Sequence, residues 1–138
     1  MAIFKAEPPT QDPPTALTKD EVLSRMKSPE AVLLNVLSGD DFERIHIKGS
    51  QNLTLGKNIR SFGISAQRKF KRETYFITYG LNGETTLGLN AAKILVGEGF
   101  KADHYPGGLV DWVAAGLPTG GTEKATPNNP AAILGKKR

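Results

Sequence analysis

The residues best placed to do chemistry lie between Tyr75 and Thr86, in the sequence YFITYGLNGETT. Its first five residues are aromatic or β-branched and predict a buried strand. The residues that follow predict a short loop that opens a helix. Backbone N–H groups at a helix start have no intrahelical partners and lie at the positive end of the helix dipole, so they favour an anion or a thiolate. The predicted anion-binding loop comprises Gly80, Leu81, Asn82, Gly83, Glu84, Thr85 and Thr86.

The chain has no cysteine, and the first residue after the predicted strand, where a nucleophile would lie, is Gly80. Disulfides, thiolate metal sites and cysteine-based catalysis are therefore closed to this chain. Its only sulfur atoms belong to Met1 and Met26, and a thioether cannot form a persulfide. We predict no catalytic residue.

Two histidines are the other candidates for acid–base or metal chemistry. His46 lies in a predicted turn, where a hydrogen-bonded structural role is the simpler interpretation. His104 has Asp103 beside it, but adjacent strand residues point to opposite faces of a sheet. Asp40 and Asp41 fit the start of a helix better than an acid–base pair. We therefore predict neither a metal site nor a cofactor.

Composition predicts one globular domain, with 38% apolar and 23% charged residues among 138. The net charge of +4 is concentrated in the segment from Lys57 to Arg72 and in the last three residues. No aromatic residues alternate with these cations in a pattern that supports base stacking, so a nucleic-acid partner is not expected. No stretch is long and apolar enough to span a membrane, and Met1 to Gln11 lacks a secretion signal, so we expect a cytoplasmic location.

The order of predicted elements indicates an α/β fold. Strands are predicted at 31–36, 74–79 and 102–105, with a short extended piece at 51–55, and helices at 18–27, 38–44, 87–97 and 109–115. The basic segment 57–72 is predicted to be irregular or partly helical. Strands separated by helical segments favour a central parallel sheet with helices on both faces. Ligands of such sheets bind beyond the carboxyl ends of strands, which is where the loop from Gly80 falls.

Three regions are predicted along the chain. Residues 1–16 carry four prolines and are expected to form a flexible arm, and residues 17–118 are expected to form the domain. Residues 119–138 are rich in Gly, Pro and Asn and end in a basic cluster, so a flexible tail is expected there.

From about Leu17 to Pro118 the chain resembles a rhodanese-like domain, a single-domain relative of the thiosulfate and persulfide sulfurtransferases. The resemblance rests on anchors in the expected order: the strand 32–37, the acidic-aromatic Asp40–Phe42, the turn Ile45–Ser50, Gly99–Phe100, Gly107–Gly108, Trp112 and Ala115–Pro118. It implies an α/β fold and, for active relatives, sulfur transfer through a cysteine persulfide held in a ring of backbone N–H groups.

The chain departs from that pattern at the positions that carry the reaction. Gly80 takes the place of the family's sulfur-accepting cysteine, and Thr85 falls where active members commonly carry Arg or Lys. Glu84 adds a negative charge beside the loop. Asn35 and Leu37 replace an Asp and an Arg, and losing both partners of an ion pair together costs less than losing one.

These features predict a catalytically inactive rhodanese-like domain that serves as a binding or regulatory module, and not an enzyme. Its partner at the loop would be a protein or a small anion of unknown identity. One alternative is a sulfurtransferase-family protein that assists sulfur relay with a partner's cysteine. Another is a basic surface, built on residues 57–72 and the tail, that binds nucleic acid or acidic proteins.

Overall fold

The computed structural model describes residues 13–82 and 86–123. Its helices are α1 (Lys19–Arg25), α2 (Gly39–Arg44), α3 (Ile59–Lys69), α4 (Leu87–Gly97) and α5 (Gly108–Ala114). Its strands are β1 (Ala31–Asn35), β2 (His46–Ile47), β3 (Gln51–Asn52), β4 (Tyr75–Tyr79), β5 (Lys101–Tyr105) and β6 (Thr119–Gly120).

Four of the strands form a parallel sheet in the order β3-β1-β4-β5. The chain steps outward from β1 to β3 and then returns to add β4 on the other side of β1. This reversal between β1 and β4 opens a crevice at their carboxyl ends, where parallel sheets bind their ligands. A separate antiparallel pair joins β2 to β6.

Side chains alternate across the sheet and build two cores, one on each face. Ile77 and Tyr79 of β4 pack with Val22 of α1 and Trp112 of α5. Phe76 of the same strand points to the other face, where it meets the apolar sides of α3 and α4. The predicted α/β fold with a central parallel sheet and helices on both faces is therefore confirmed.

Local signals in the sequence set the helix starts. Thr18 and Glu21 form the predicted capping box of α1, with each side chain bonded to the other's backbone N–H. Ser38 caps α2 and Asn58 caps α3, and in each case a side-chain oxygen accepts one backbone N–H of the first turn. The basic segment 57–72, predicted to be irregular or partly helical, contains the 11-residue helix α3. The helix forms because Phe62 and Ala66 give it a buried side.

Both ends of the predicted domain extend into the neighbouring residues. Thr15 and Ala16 lie in the region expected to be a flexible arm, yet Thr15 O accepts a hydrogen bond from His104 N at 3.0 Å. Thr119 and Gly120 lie in the expected tail and form β6, and Thr122 N bonds to Glu43 O at 3.0 Å. These contacts tie Thr15, Ala16 and residues 119–122 to neighbouring elements, whereas residues 1–12 and 124–138 lie outside the described residues. The domain boundaries themselves stay predictions.

Within the described ranges, no helix is long and apolar enough to cross a bilayer.

Candidate functional site

Gly80 leaves the carboxyl end of β4, an interior strand, and it is buried. Its carbonyl oxygen accepts a hydrogen bond from Leu109 N at 3.0 Å, and the Leu81 carbonyl accepts one from Val110 N at 2.9 Å. The loop therefore caps the first turn of α5 with two of its own carbonyl groups. Gly80 is not among the glycines with positive φ, so the backbone does not demand a glycine there.

These two carbonyl bonds also orient the N–H groups of the loop. In a trans peptide the C=O and the following N–H point in opposite directions, so the N–H groups of Leu81 and Asn82 are directed away from α5. Within the described part of the chain, the Leu81 N–H has no hydrogen-bond acceptor. The loop therefore presents a backbone donor to whatever lies on its outer side.

Gly108 allows the loop and α5 to approach this closely. It has a φ of 66°, a conformation that residues with a Cβ rarely adopt. A Cβ at this position would lie 2.7 Å from Gly80 O and 2.8 Å from Leu81 O. The second glycine of the Gly107–Gly108 pair is thus part of the site's construction.

A cavity of about 160 Å³ opens beside the loop. It is lined by Gly80, Asn82, Thr86, Gly88, Leu89, His104, Tyr105 and Pro106. Of the seven predicted site residues, the structure thus brings Gly80, Asn82 and Thr86 to the cavity wall, whereas Leu81 packs against the core that contains Trp112. Gly83, Glu84 and Thr85 lie outside the described residues.

The start of α4 forms one wall of this cavity. Thr86 is its N-cap residue but makes no side-chain cap, and its hydroxyl oxygen accepts a hydrogen bond from Asn90 Nδ2 at 3.2 Å. Leading N–H groups of the helix are therefore not capped by this side chain. Thr78 anchors the turn from below, where its hydroxyl donates to Gly88 O.

His104 faces the cavity, and sequence reasoning had given it no role there. Burial lowers its pKa; the Asp103 charge opposes this shift, and Lys93 adds to it. A lowered pKa makes the neutral imidazole the main form near neutral pH, so His104 offers one N–H donor and one acceptor. His104 pairs with Thr78 near the carboxyl ends of β4 and β5. This position near the end of a predicted parallel strand is the signal that could have placed His104 beside the loop.

Asp103 points to the other face of the sheet, as the alternation of a strand predicts. Its carboxylate accepts a hydrogen bond from Tyr75 Oη at 2.5 Å and pairs with Arg25 Nη1 at 3.2 Å. It therefore cannot join His104 in a metal site. In the described ranges no group of three or more His, Asp or Glu residues could hold a metal ion.

A neutral hydrogen-bond network fills the crevice between β1 and β4. The Tyr79 hydroxyl accepts from Asn35 Nδ2 at 3.0 Å and from Ile47 N at 3.0 Å. Ser50 Oγ donates to Ile47 O, so the Tyr79 hydroxyl donates its own proton to Ser50 Oγ at 2.8 Å. Burial raises the pKa of Tyr79, which keeps the phenol protonated.

The same network includes Asn35, one of the two departures near the first strand. Asn35 Oδ1 accepts from Leu37 N at 2.9 Å, and Asn35 is fully buried. An amide here satisfies donors and acceptors with no charge, so no cation is needed at position 37. The joint replacement of both ion-pair partners is therefore consistent with an intact fold.

Two other singled-out residues have structural roles. His46 Nδ1 lies 2.7 Å from Phe42 O and its ring stacks on Phe42, which agrees with the structural interpretation. Trp112 is only 4% exposed and donates through Nε1 to Pro118 O at 2.8 Å. Both residues hold chain segments together and lie outside the cavity lining.

The model of the rhodanese-like domain family matches residues 18–115. No curated protein is significantly similar in sequence to this chain. Solved structures with the same fold include a protein from Bacillus halodurans, with 15% identity, a TM-score of 0.67, and coverage of 78% of this chain and 77% of the other. The rhodanese-like domain of an Anabaena protein has 24% identity and a TM-score of 0.65, with 81% of each chain covered.

A thiosulfate sulfurtransferase from Pseudomonas aeruginosa is also similar, with 16% identity and a TM-score of 0.62. The match covers 88% of this chain but only 24% of that enzyme. At these levels of identity the three structures establish the shared fold alone.

Proposed function

Because the chain belongs to the rhodanese-like domain family, we propose that it is a non-catalytic member that binds a small anionic group at the loop Gly80–Thr86. The observation that carries the proposal is that the residue directly after β4, Gly80, lies at the cavity wall and has no side chain. The ligand would be a free oxyanion or a carboxylate or phosphate carried by a partner protein.

Sulfur transfer is excluded in this proposal by chemistry. In an active family member, a thiolate attacks the donor sulfur, accepts the sulfur atom as a persulfide and releases the rest of the donor. Glycine offers no atom that could form that bond, and the chain contains no cysteine at any position. The similarity to a thiosulfate sulfurtransferase therefore supports a shared fold, whereas the cysteine that carries sulfur in active members is missing from this chain.

Anion binding is supported by three features in and around the cavity. The Leu81 N–H is directed away from α5, the N-cap Thr86 makes no side-chain hydrogen bond to the start of α4, and Lys93 lies near enough to His104 to lower its pKa. Backbone donors of this kind recognise oxygen atoms of an anion without a charged side chain. His104 would add a neutral N–H donor on the opposite wall.

The test is amide NMR shift mapping with sulfate, phosphate and thiosulfate, each against sodium chloride at equal ionic strength. We expect saturable shifts at Leu81, Asn82, Gly88 and His104. His104→Ala should weaken this binding, whereas His46→Gln, distant from the cavity, should leave it unchanged. Absence of saturable shifts at these amides would overturn the anion-binding proposal.

A sulfurtransferase assay tests the other half of the proposal. With thiosulfate as donor and cyanide as acceptor, we expect product formation equal to the protein-free control. Turnover above that control would show that a group other than cysteine carries sulfur. Binding of thiosulfate but not of sulfate or phosphate, without turnover, would instead favour a member that presents a sulfur donor to a partner's cysteine.

A further inference from the structure

Helix α3 and the residues next to it carry a concentration of unpaired positive charge. Six cations and no acidic residue lie between Lys57 and Arg72: Lys57, Arg60, Arg68, Lys69, Lys71 and Arg72. The ion pairs found among the described residues involve only Arg25 and Arg44, so none of these six cations has an acidic partner there. The segment therefore projects a positive field on the α3 side of the sheet.

The solvent-facing side of α3 has an apolar centre. Phe62 and Ala66 face the core, and the opposite side carries Ile64, which is 49% exposed. Arg60 and Arg68 lie four residues before and after Ile64 and so fall on the same face of the helix. The result is an exposed isoleucine with a guanidinium one turn away on either side.

A depression of about 280 Å³ adjoins the start of this face. Its walls combine apolar Leu53 and Phe62 with Thr54, Lys57, Asn58 and Ser61. An apolar wall with a cation at its rim suits an apolar side chain that is flanked by acidic residues. The depression and the Ile64 face together form what we term the α3 surface.

We propose that the α3 surface docks an amphipathic acidic segment of a partner protein. Cations attract Asp and Glu of the segment and set the rate of encounter, and Ile64 and the depression bury its apolar residues. The exposed isoleucine favours a protein over a nucleic acid, because a polyanion needs only the cations and gains most from exposed aromatic rings. Both aromatic residues of α3 and its C-cap, Phe62 and Phe70, pack against the core instead.

This interaction is independent of the cavity beside Gly80, because the depression and the cavity share no lining residue. The test uses amide NMR shift mapping with a short synthetic peptide that carries Glu and Leu at helical spacing. We expect shifts confined to α3 and residues 53–58. A peptide in which Ser replaces every Leu should bind at least about tenfold more weakly, since apolar burial is then lost.

Substitutions separate specific docking from general charge attraction. Arg60→Glu/Arg68→Glu should reduce the affinity by at least about tenfold. The matched control Lys27→Glu/Lys48→Glu makes the same change in net charge at exposed positions away from α3 and should bind like the original protein. Ile64→Ser, which keeps every charge, should also reduce the affinity. Circular dichroism of each variant checks that the fold is retained.

Three results would overturn the proposal. The first is absence of shifts in α3 with the Leu-containing peptide. The second is an equal loss of affinity in the two charge-reversal variants, which would show non-specific attraction. The third is tighter binding of a single-stranded oligonucleotide that is insensitive to Ile64→Ser, which would assign the α3 surface to nucleic acid.

Discussion

At the scale of single residues, the chain carries a glycine, with no side chain, directly after β4. Gly80 occupies the end of β4, where the strand, the α5 contact and the cavity meet. The next backbone N–H, that of Leu81, has no acceptor among the described residues. The absence of a nucleophile at this position is therefore a property of one residue, and whether the backbone beside it holds an anion is the proposal to be tested.

Gly80→Cys tests whether the loop still stabilises negative charge. We expect the new thiol to have a pKa below that of an ordinary cysteine, because nearby N–H dipoles favour the thiolate. The measurement is the rate of alkylation as a function of pH. Lys48→Cys, at an exposed turn, provides the comparison. Equal pKa values for the two thiols would mean that the loop no longer holds an anion.

At the scale of elements, the site depends on how closely α5 approaches the loop. Leu109 N and Val110 N are satisfied by loop carbonyls, and the N-cap residue of α5, Gly107, has no side chain to offer. These two hydrogen bonds require that residue 108 has no Cβ, because a Cβ on Gly108 would lie too close to Gly80 O. A change in α5 is thus transmitted directly to the loop.

Gly108→Ala should destabilise the fold by about 1–3 kcal/mol from positive-φ strain, with a further cost from the displaced loop. Gly49→Ala is the matched control, because Gly49 also has a positive φ of 89° but open space around it. Urea unfolding of both variants measures the difference. An equal loss in the two variants would show that the contact with the loop does not matter.

At the scale of the whole molecule, the three tyrosines of the chain link its stability to alkaline pH. Tyr75, Tyr79 and Tyr105 all have raised pKa values, for which burial is the largest cause. A folded-state pKa above the unfolded value of about 10 means that the stabilisation is fully present below pH 10 and is lost as the pH rises above it.

We therefore expect the urea midpoint to fall as the pH rises above about 10, with the contribution of Tyr75 lost between about 10 and about 12, where its pKa lies. The pKa of Tyr75 is raised by burial and by its hydrogen bond to Asp103, and the bond from Arg25 partly offsets this. Tyr75→Phe removes this titrating group and should reduce the slope of the decline. An unchanged slope would assign the pH dependence to other groups.

Much of this architecture followed from local patterns. One capping box, several apolar runs and turn glycines predicted most elements, because each depends on residues within one or two turns of chain. The helix α3 was harder to predict, because its buried residues Phe62 and Ala66 are recognisable as such only from the strands on which they pack. The pairing of β6 with β2 was missed for a similar reason, because Ile47 and Thr119 are far apart in sequence.

The sequence by itself determined what this protein lacks, since the presence of a thiol is a matter of composition and needs no coordinates. It also located the loop, because strand, loop and helix are contiguous there. Tertiary structure alone decided what surrounds the loop: the Gly108 approach, the position of His104 on the cavity wall and the neutral network on Tyr79. Those contacts join residues from separate strands and helices, and only the folded chain brings them within hydrogen-bonding distance.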